Sequence, residues 1–564
     1  MKELMKNIRP VHIGLAIIWL FCFISAVLQP SLNDPPVFWN WAQQVHDSDL
    51  RGMAAIESVW EIKGLLSRLI YYQLFLLTSI FSSVFYPTGH YIFTAIGLIE
   101  LTAIIGLAFA ILPLEYMSKS TKLLSFVIST IAIYTTSAFS NMQPELWGYA
   151  LLLLSFCLLL RDNIAAKIIG GILLGLVFFI KTPYLLLAGS AFFAYALITN
   201  KGFWQTIQTI WIYALSAFFT VCIVLLSLHL TYPVEIHDIF ILPRFYGNLF
   251  SLSHVEMLQA WRNGFSQILQ IPLHIPIVFV GAISLCMYLA SHNVRENVFM
   301  LCMWLFPYLY IVISNRYFVY HYNVMLFPAI VSTYLSREKW LGLSGINILF
   351  VISGIVLGLV CSRASFYVLC TLLLPYIIAI PYILMALSLV DKWEKISLYT
   401  TVFFTTFIFA SFQSGFSYAS RYAHKEVKMM VESNLEKGYP IGGKIGDSEV
   451  LHLTDGIEEL FIGNKSYLRY FYPAPLMSPS YLKSEEGIEL QEKILDYKGD
   501  ILTLAEGYDK CLEENTPEIM EFIDRYYTPH DTIYQVYSLF RLYEKHPTGR
   551  AYIIIYHKNT ENEE

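Results

Sequence analysis

Charge is what this chain has least of. Only 14% of its 564 residues are Asp, Glu, Lys or Arg, where a soluble protein of this size carries about a quarter. The shortfall excludes an ordinary water-facing surface over most of the chain. A net charge of −6 gives no bulk basic field, which argues against nucleic acid as a partner. The eight cysteines form no CxxC pair, no Cys/His metal spacing and no disulfide framework. Cys22, Cys157, Cys222, Cys286, Cys302, Cys361 and Cys370 sit in apolar runs and read as buried small hydrophobes. Internal repeats and low-complexity tracts are missing too.

What is there is hydrophobic length. The chain is 56% hydrophobic and 16% aromatic, with a mean hydropathy of +0.54. A membrane-spanning helix needs about 20 mostly apolar residues. Qualifying runs lie near 11–29, 91–112, 122–139, 147–160, 166–180, 184–199, 206–228, 272–290, 297–314, 318–335, 341–360, 366–390 and 396–415. No small-residue cleavage site comes after the first, which reads as an uncleaved anchor. Segment 65–85, "LLSRLIYYQLFLLTSIFSSVF", is apolar but carries Arg68, with Lys63 just before it. It reads as an interfacial helix with its cation at the lipid headgroups.

Loop charge supports that reading. The start, "MKELMKNIRP", should be cytoplasmic. With 65–85 off the spanning list, the loops "SKSTK", "RDNIAAK", "TNKGFW", "SHNVRE", "SREKW" and "DKWEK" fall on the same side, each with a Lys or Arg. The opposite face then holds the two long loops, 30–90 and 229–271. After residue 415 the composition turns polar, with β-like "EVLHL" and "AYIIIYH" and helix-like "TPEIMEFIDRYY". The expected fold is a polytopic α-helical membrane protein with about 13 transmembrane helices over residues 1–415. A small extracytoplasmic α/β or α+β domain occupies 416–564.

Ionisable groups at the rim of membrane segments are expensive to keep, so each is a functional candidate. Asp34, in "LNDPPVFWNWAQQVHDSD", directly follows the first span. The two prolines stiffen that exit, and the aromatics behind it suit a carboxylate tuned as a general base. The plainer reading is a cap on the short helix "PPVFWNWAQQV". His46 and Asp47, downstream, could join Asp34 around a divalent cation such as Mg²⁺ or Mn²⁺, or form a solvated turn. Glu145, beside Gln143 in "SNMQPELWGY", suits the start of a helix dipole and faces the same side as Asp34. Lys181 in "FFIKTPYLLL" breaks an apolar stretch almost without a loop. It either snorkels or aims at a lipid phosphate. Arg244 belongs to the long loop 229–271. Arg316 and His321, in "SNRYFVYHYNVMLFP", could clamp a phosphate with charge-assisted hydrogen bonds; the alternative for His321 is a buried ring bonded to a tyrosine.

Taken in order, these features resemble the glycosyltransferase C superfamily, most closely its bacterial aminoarabinose transferase and protein mannosyltransferase branch. Asp34, Phe38 and Ala42 match the spacing of that family's first outer-loop motif. "GGILLGLVFFIKTPYLLLAG" is similar to its Gly-rich fifth span ending in Lys and Pro, and "RYFVYHYNVMLFPAIV" to a later Arg/Tyr-rich entry. In the C-terminal region, "GDSEVLHLTDG" and "NKSYLRYFYPAPL" resemble the tail of large bacterial members. The resemblance implies transfer of a sugar from a polyprenyl-phosphate donor to a lipid, polysaccharide or protein acceptor, with inversion, outside a bacterial plasma (inner) membrane. It implies Asp34 as base with Glu145 beside it as a second catalytic carboxylate. Lys181, Arg316, His321 and Arg244 would bind the donor phosphate. The main rival is a lipid or glycan transporter or flippase. Repeats and midplane charges, which transporters usually show, are absent from the sequence.

Overall fold

In the computed structural model the apolar runs among the described residues are helices. The structure describes residues 10–28, 34–59, 64–83, 85–134, 142–240, 276–313 and 319–336, then 436–437, 445, 449–453, 464–468, 476, 478–505, 508–535 and 551–559. Before the second long loop the helices are α1 (Pro10–Val27), α2 (Asp34–Asp47), α3 (Met53–Ser58), α4 (Leu65–Ser79), α5 (His90–Ile111), α6 (Lys119–Tyr134), α7 (Pro144–Leu159), α8 (Ile164–Val177), α9 (Leu187–Ile198), α10 (Phe203–Thr231) and α11 (Pro233–Phe240). They continue with α12 (Pro276–Leu289), α13 (Val294–Ile313) and α14 (Leu326–Leu335). Short 3₁₀ turns, Thr182–Leu186 and Val319–Met325, lead into α9 and α14. Among the described residues α5, α10 and α13 are long and apolar enough to cross a membrane. The last three expected spans, and with them the count of 13, lie outside the described residues.

The chain divides into two compact units. One unit gathers 1–29, 97–222 and 252–420; the other gathers 30–96, 223–251 and 421–564. The C-terminal region therefore groups with residues 30–96 and 223–251. Two of its polar contacts show this: Ser466 N–H donates to Gln44 Oε1 at 3.2 Å, and His237 Nε2 lies 2.7 Å from Glu486 Oε1.

In the first unit, close approach sets the packing. Gly171 lies where α8 meets α10: a Cβ there would fall 2.3 Å from the Tyr213 carbonyl oxygen. Pro307 interrupts α13. Without an N–H it leaves the carbonyl of Met303, one turn back, without its helical donor. Ser190 of α9 fills the gap, donating its hydroxyl to that oxygen at 2.7 Å.

In the second unit, α4 has 15 residues, about 22 Å of helix, short of the ~30 Å hydrocarbon core. That length suits the interfacial expectation. Arg68 departs from it. Its side chain is 2% exposed and hydrogen-bonds Glu235 of α11, itself 0% exposed. The cation is buried in an ion pair instead of lying among headgroups.

The C-terminal part of this unit carries helices α15 (Pro479–Leu482), α16 (Glu485–Leu495), α17 (Tyr508–Asn515) and α18 (Pro517–Tyr526). Its strands are β1 (Leu451–Leu453), β2 (Ile501–Ala505), β3 (Tyr527–Gln535) and β4 (Ala551–Lys558). Their order in the sheet is β1-β2-β4-β3, with β1–β2 parallel and the other pairs antiparallel. Leu451, Leu453, Leu502, Leu504, Ile553 and Ile555 are buried.

His452 is buried with them, its Nδ1 2.8 Å from Thr503 Oγ1. Burial pushes its pKa down from 6.5 to about 4. The folded state therefore keeps the ring neutral while the unfolded chain takes up a proton below pH 6.5. Stability is full above pH 6.5 and falls as pH drops toward 4, by about 3 kcal/mol in total. Unfolding of this domain measured against pH should show that slope, and His452→Gln should remove it.

Candidate active site: a buried carboxylate, amine and imidazole

Three segments far apart in sequence meet in the first unit. Glu145 stands in the first turn of α7, behind Pro144, where a carboxylate favours the helix dipole. Lys181 ends the stretch after Gly-rich α8 and precedes the 3₁₀ turn. His321 lies in the second 3₁₀ turn, which packs on α7. Lys181 Nζ donates to Glu145 Oε1 at 3.3 Å and lies 3.1 Å from His321 Nε2. A protonated amine can only donate, so Nε2 is the acceptor in that contact.

Tyr310 of α13 completes the group, and the sequence did not single it out. Its hydroxyl donates to Glu145 Oε1 at 3.2 Å. Its ring stacks on Tyr184, with centroids 4.8 Å apart, and carries the Lys181 ammonium 5.6 Å from its centre. Gly148, one turn along α7 from Glu145, makes room for this stack: a Cβ would fall 2.8 Å from Tyr184. Glu145 is 1% exposed and the Lys181 side chain 27%. Lys181 is therefore not snorkelling away from the protein. It neutralises a buried carboxylate while keeping part of its own surface open. The second oxygen, Glu145 Oε2, has no hydrogen-bond partner among the described residues.

Asp34 is the first residue of α2, and the same helix runs unbroken to Asp47. Twelve residues of helix put His46 about 18 Å from Asp34 along the axis, and both His46 and Asp47 lie towards the open end of that helix. The expected cation site of Asp34, His46 and Asp47 does not assemble, because a helix keeps its two ends apart. Among the described residues no three His, Cys, Asp or Glu side chains gather as metal ligands. Arg244 and Arg316 lie outside the described residues.

The described helices and the C-terminal mixed sheet have a fold similar to that of solved membrane proteins. The particular structures it matches include ArnT from Cupriavidus metallidurans bound to undecaprenyl phosphate, at 10% identity and a TM-score of 0.51, over 96% of this chain and 97% of that one. The apo state of the same protein matches at 10% identity and a TM-score of 0.50, with the same coverage. The oligosaccharyltransferase AglB from Archaeoglobus fulgidus, in complex with an inhibitory peptide and a dolichol-phosphate, aligns at 12% identity and a TM-score of 0.41, over 93% of this chain and 73% of that one. No sequence-family model and no curated protein sequence matches this chain.

Proposed function

We propose that this protein is a membrane glycosyltransferase that moves a sugar from a polyprenyl-phosphate carrier to an acceptor on the outer face of a bacterial plasma membrane, with inversion. The supporting observation is the Lys181 ammonium, held by Glu145 and His321 with a quarter of its side chain open. The likeness of fold to ArnT, which was crystallised with undecaprenyl phosphate, points to the same class of carrier. The grouping of residues 30–96 and 223–251 with 421–564 suits a single working face.

A lipid phosphate leaving group needs its growing charge stabilised more than it needs a strong acid. Lys181 supplies that charge, with Arg316 and Arg244 as further donors. The acceptor hydroxyl needs a base within hydrogen-bond reach, and Asp34 takes that role. Glu145 orients the amine and presents Oε2 to the reacting groups.

The test is binding of undecaprenyl phosphate to the purified protein in lipid nanodiscs. Wild type should bind, and Lys181→Met should weaken binding at least about tenfold, the scale of one charge-assisted contact. Binding unchanged in the variant would remove Lys181 from the phosphate site. No binding to wild type would favour the transporter reading.

A further inference from the structure

Two buried amides beside the site remain unexplained by that chemistry. Gln143 and Asn323 are each 0% exposed. In each, both the amide oxygen and the amide nitrogen lack a hydrogen-bond partner among the described residues. Native proteins rarely tolerate this, because a buried polar group without a partner loses its water and gains nothing in return. Both amides border the same cluster. Gln143 is the residue before α7, two positions from Glu145, and Asn323 is two positions from His321 in the 3₁₀ turn that packs on α7.

The backbone adds a second, independent sign. Met142, next to Gln143, holds a left-handed conformation with φ 59°. A flexible unbranched residue gains nothing locally from that region. Its side chain is fully buried, packed where any Cβ at Gly97 would fall 2.1 Å from its Cε. The turn is pinned from one side by Met142, which fixes where Gln143 stands. Strain of this kind is retained where surrounding structure enforces it, and it concentrates at ligand sites.

We infer that Gln143 and Asn323 are the hydroxyl-reading groups of the sugar subsite. An amide presents one acceptor oxygen and two N–H donors in a plane. A sugar hydroxyl both donates and accepts, so adjacent ring hydroxyls match an amide edge. A charged side chain would favour one protonation state and leave half of each hydroxyl unmatched. The carrier phosphate, by contrast, is served by Lys181 and needs no amide. The division of labour is then clear: the cation holds what every donor shares, and the two amides read what distinguishes one sugar from another. Where a site is built to hydrogen-bond a hydroxyl, an analogue lacking it is rejected by roughly 10⁴–10⁵, because the buried groups are then left unpaired. Glu145 Oε2, also without a partner among the described residues, is a third buried acceptor in this cluster. This inference rests on the glycosyltransferase reading and names the part of the substrate that reading leaves open.

The test uses near-isosteric apolar replacements, Asn323→Leu and Gln143→Met, in the full-length protein. Three quantities are measured: melting temperature without ligand, affinity for undecaprenyl phosphate, and affinity for a panel of undecaprenyl-phosphate hexoses differing in hydroxyl configuration. Removing an unpaired buried amide should leave melting unchanged or raised. Bare undecaprenyl phosphate should bind within about twofold of wild type. The added affinity that a hexose confers on wild type should fall at least tenfold, and discrimination among the panel should flatten. A lowered melting temperature in both variants would overturn the inference, showing the amides to be satisfied internally or by a buried water. So would a wild type that binds every hexose lipid no better than the bare carrier. Failure of wild type to bind undecaprenyl phosphate at all would instead overturn the glycosyltransferase reading itself.

Discussion

Asp34→Asn is expected to abolish sugar transfer while leaving melting temperature and undecaprenyl phosphate binding near wild type. The reason begins with helix geometry. Asp34 opens α2, and Pro35 and Pro36 come directly after it, the place where a proline's missing N–H does no harm. Asp and Asn are equally good at satisfying the free N–H groups of a helix start. The substitution therefore keeps whatever Asp34 does for the helix and removes only its basicity. If Asp34 is a cap and nothing more, transfer from a labelled donor survives. If it accepts the acceptor's proton, the rate falls by about 10²–10⁴. A variant retaining more than a tenth of wild-type turnover sinks the assignment. The neighbouring aromatics give the role a setting: Phe38, Trp39 and Trp41 are buried, with Phe38 stacked on Tyr71 at 3.6 Å between centroids. Water is thus held away from the body of the helix.

Legibility in the sequence tracks the range of the interactions. Hydropathy is local, and most of the apolar runs up to residue 335 are helices close to their expected bounds. Lys181 announces itself as a charge in an apolar stretch, as does Glu145 behind its proline. Their partnership is not legible, since it depends on three segments packing together. Tyr310 is hidden for a related reason. Tyrosine is common in membrane segments, and only a tertiary partner for its hydroxyl makes one of them special. His46 and Asp47 are misplaced in the sequence reading because their spacing looks like a cluster, whereas the chain between Asp34 and Asp47 is continuous helix. The composition change at 415 is visible. The grouping of residues 421–564 with 30–96 and 223–251 is not, because contacts over hundreds of residues leave no local mark.

Arg68 and Glu235 carry the largest expected effect on stability. In sequence Arg68 has the look of a headgroup anchor, and an anchor can be removed cheaply. The structure gives it a different character. Both side chains are almost fully buried and joined by one hydrogen bond. Arg68 Nε and Nη1 and Glu235 Oε2 have no other hydrogen-bond partner among the described residues. Two charges taken from water and incompletely paired sit near the point where desolvation outweighs attraction. The consequence is asymmetric. Arg68→Ala or Glu235→Ala alone leaves one buried, uncompensated charge and should destabilise by about 3–5 kcal/mol. Arg68→Met combined with Glu235→Leu removes both charges and keeps the volume, and should be neutral or stabilising by about 1–4 kcal/mol. Thermal unfolding of the two single variants and the double variant separates these cases. Single variants within about 1 kcal/mol of wild type would mean the pair is solvated and Arg68 is a surface anchor after all. Large single effects cancelled in the double would show that each charge is required only because the other is buried beside it.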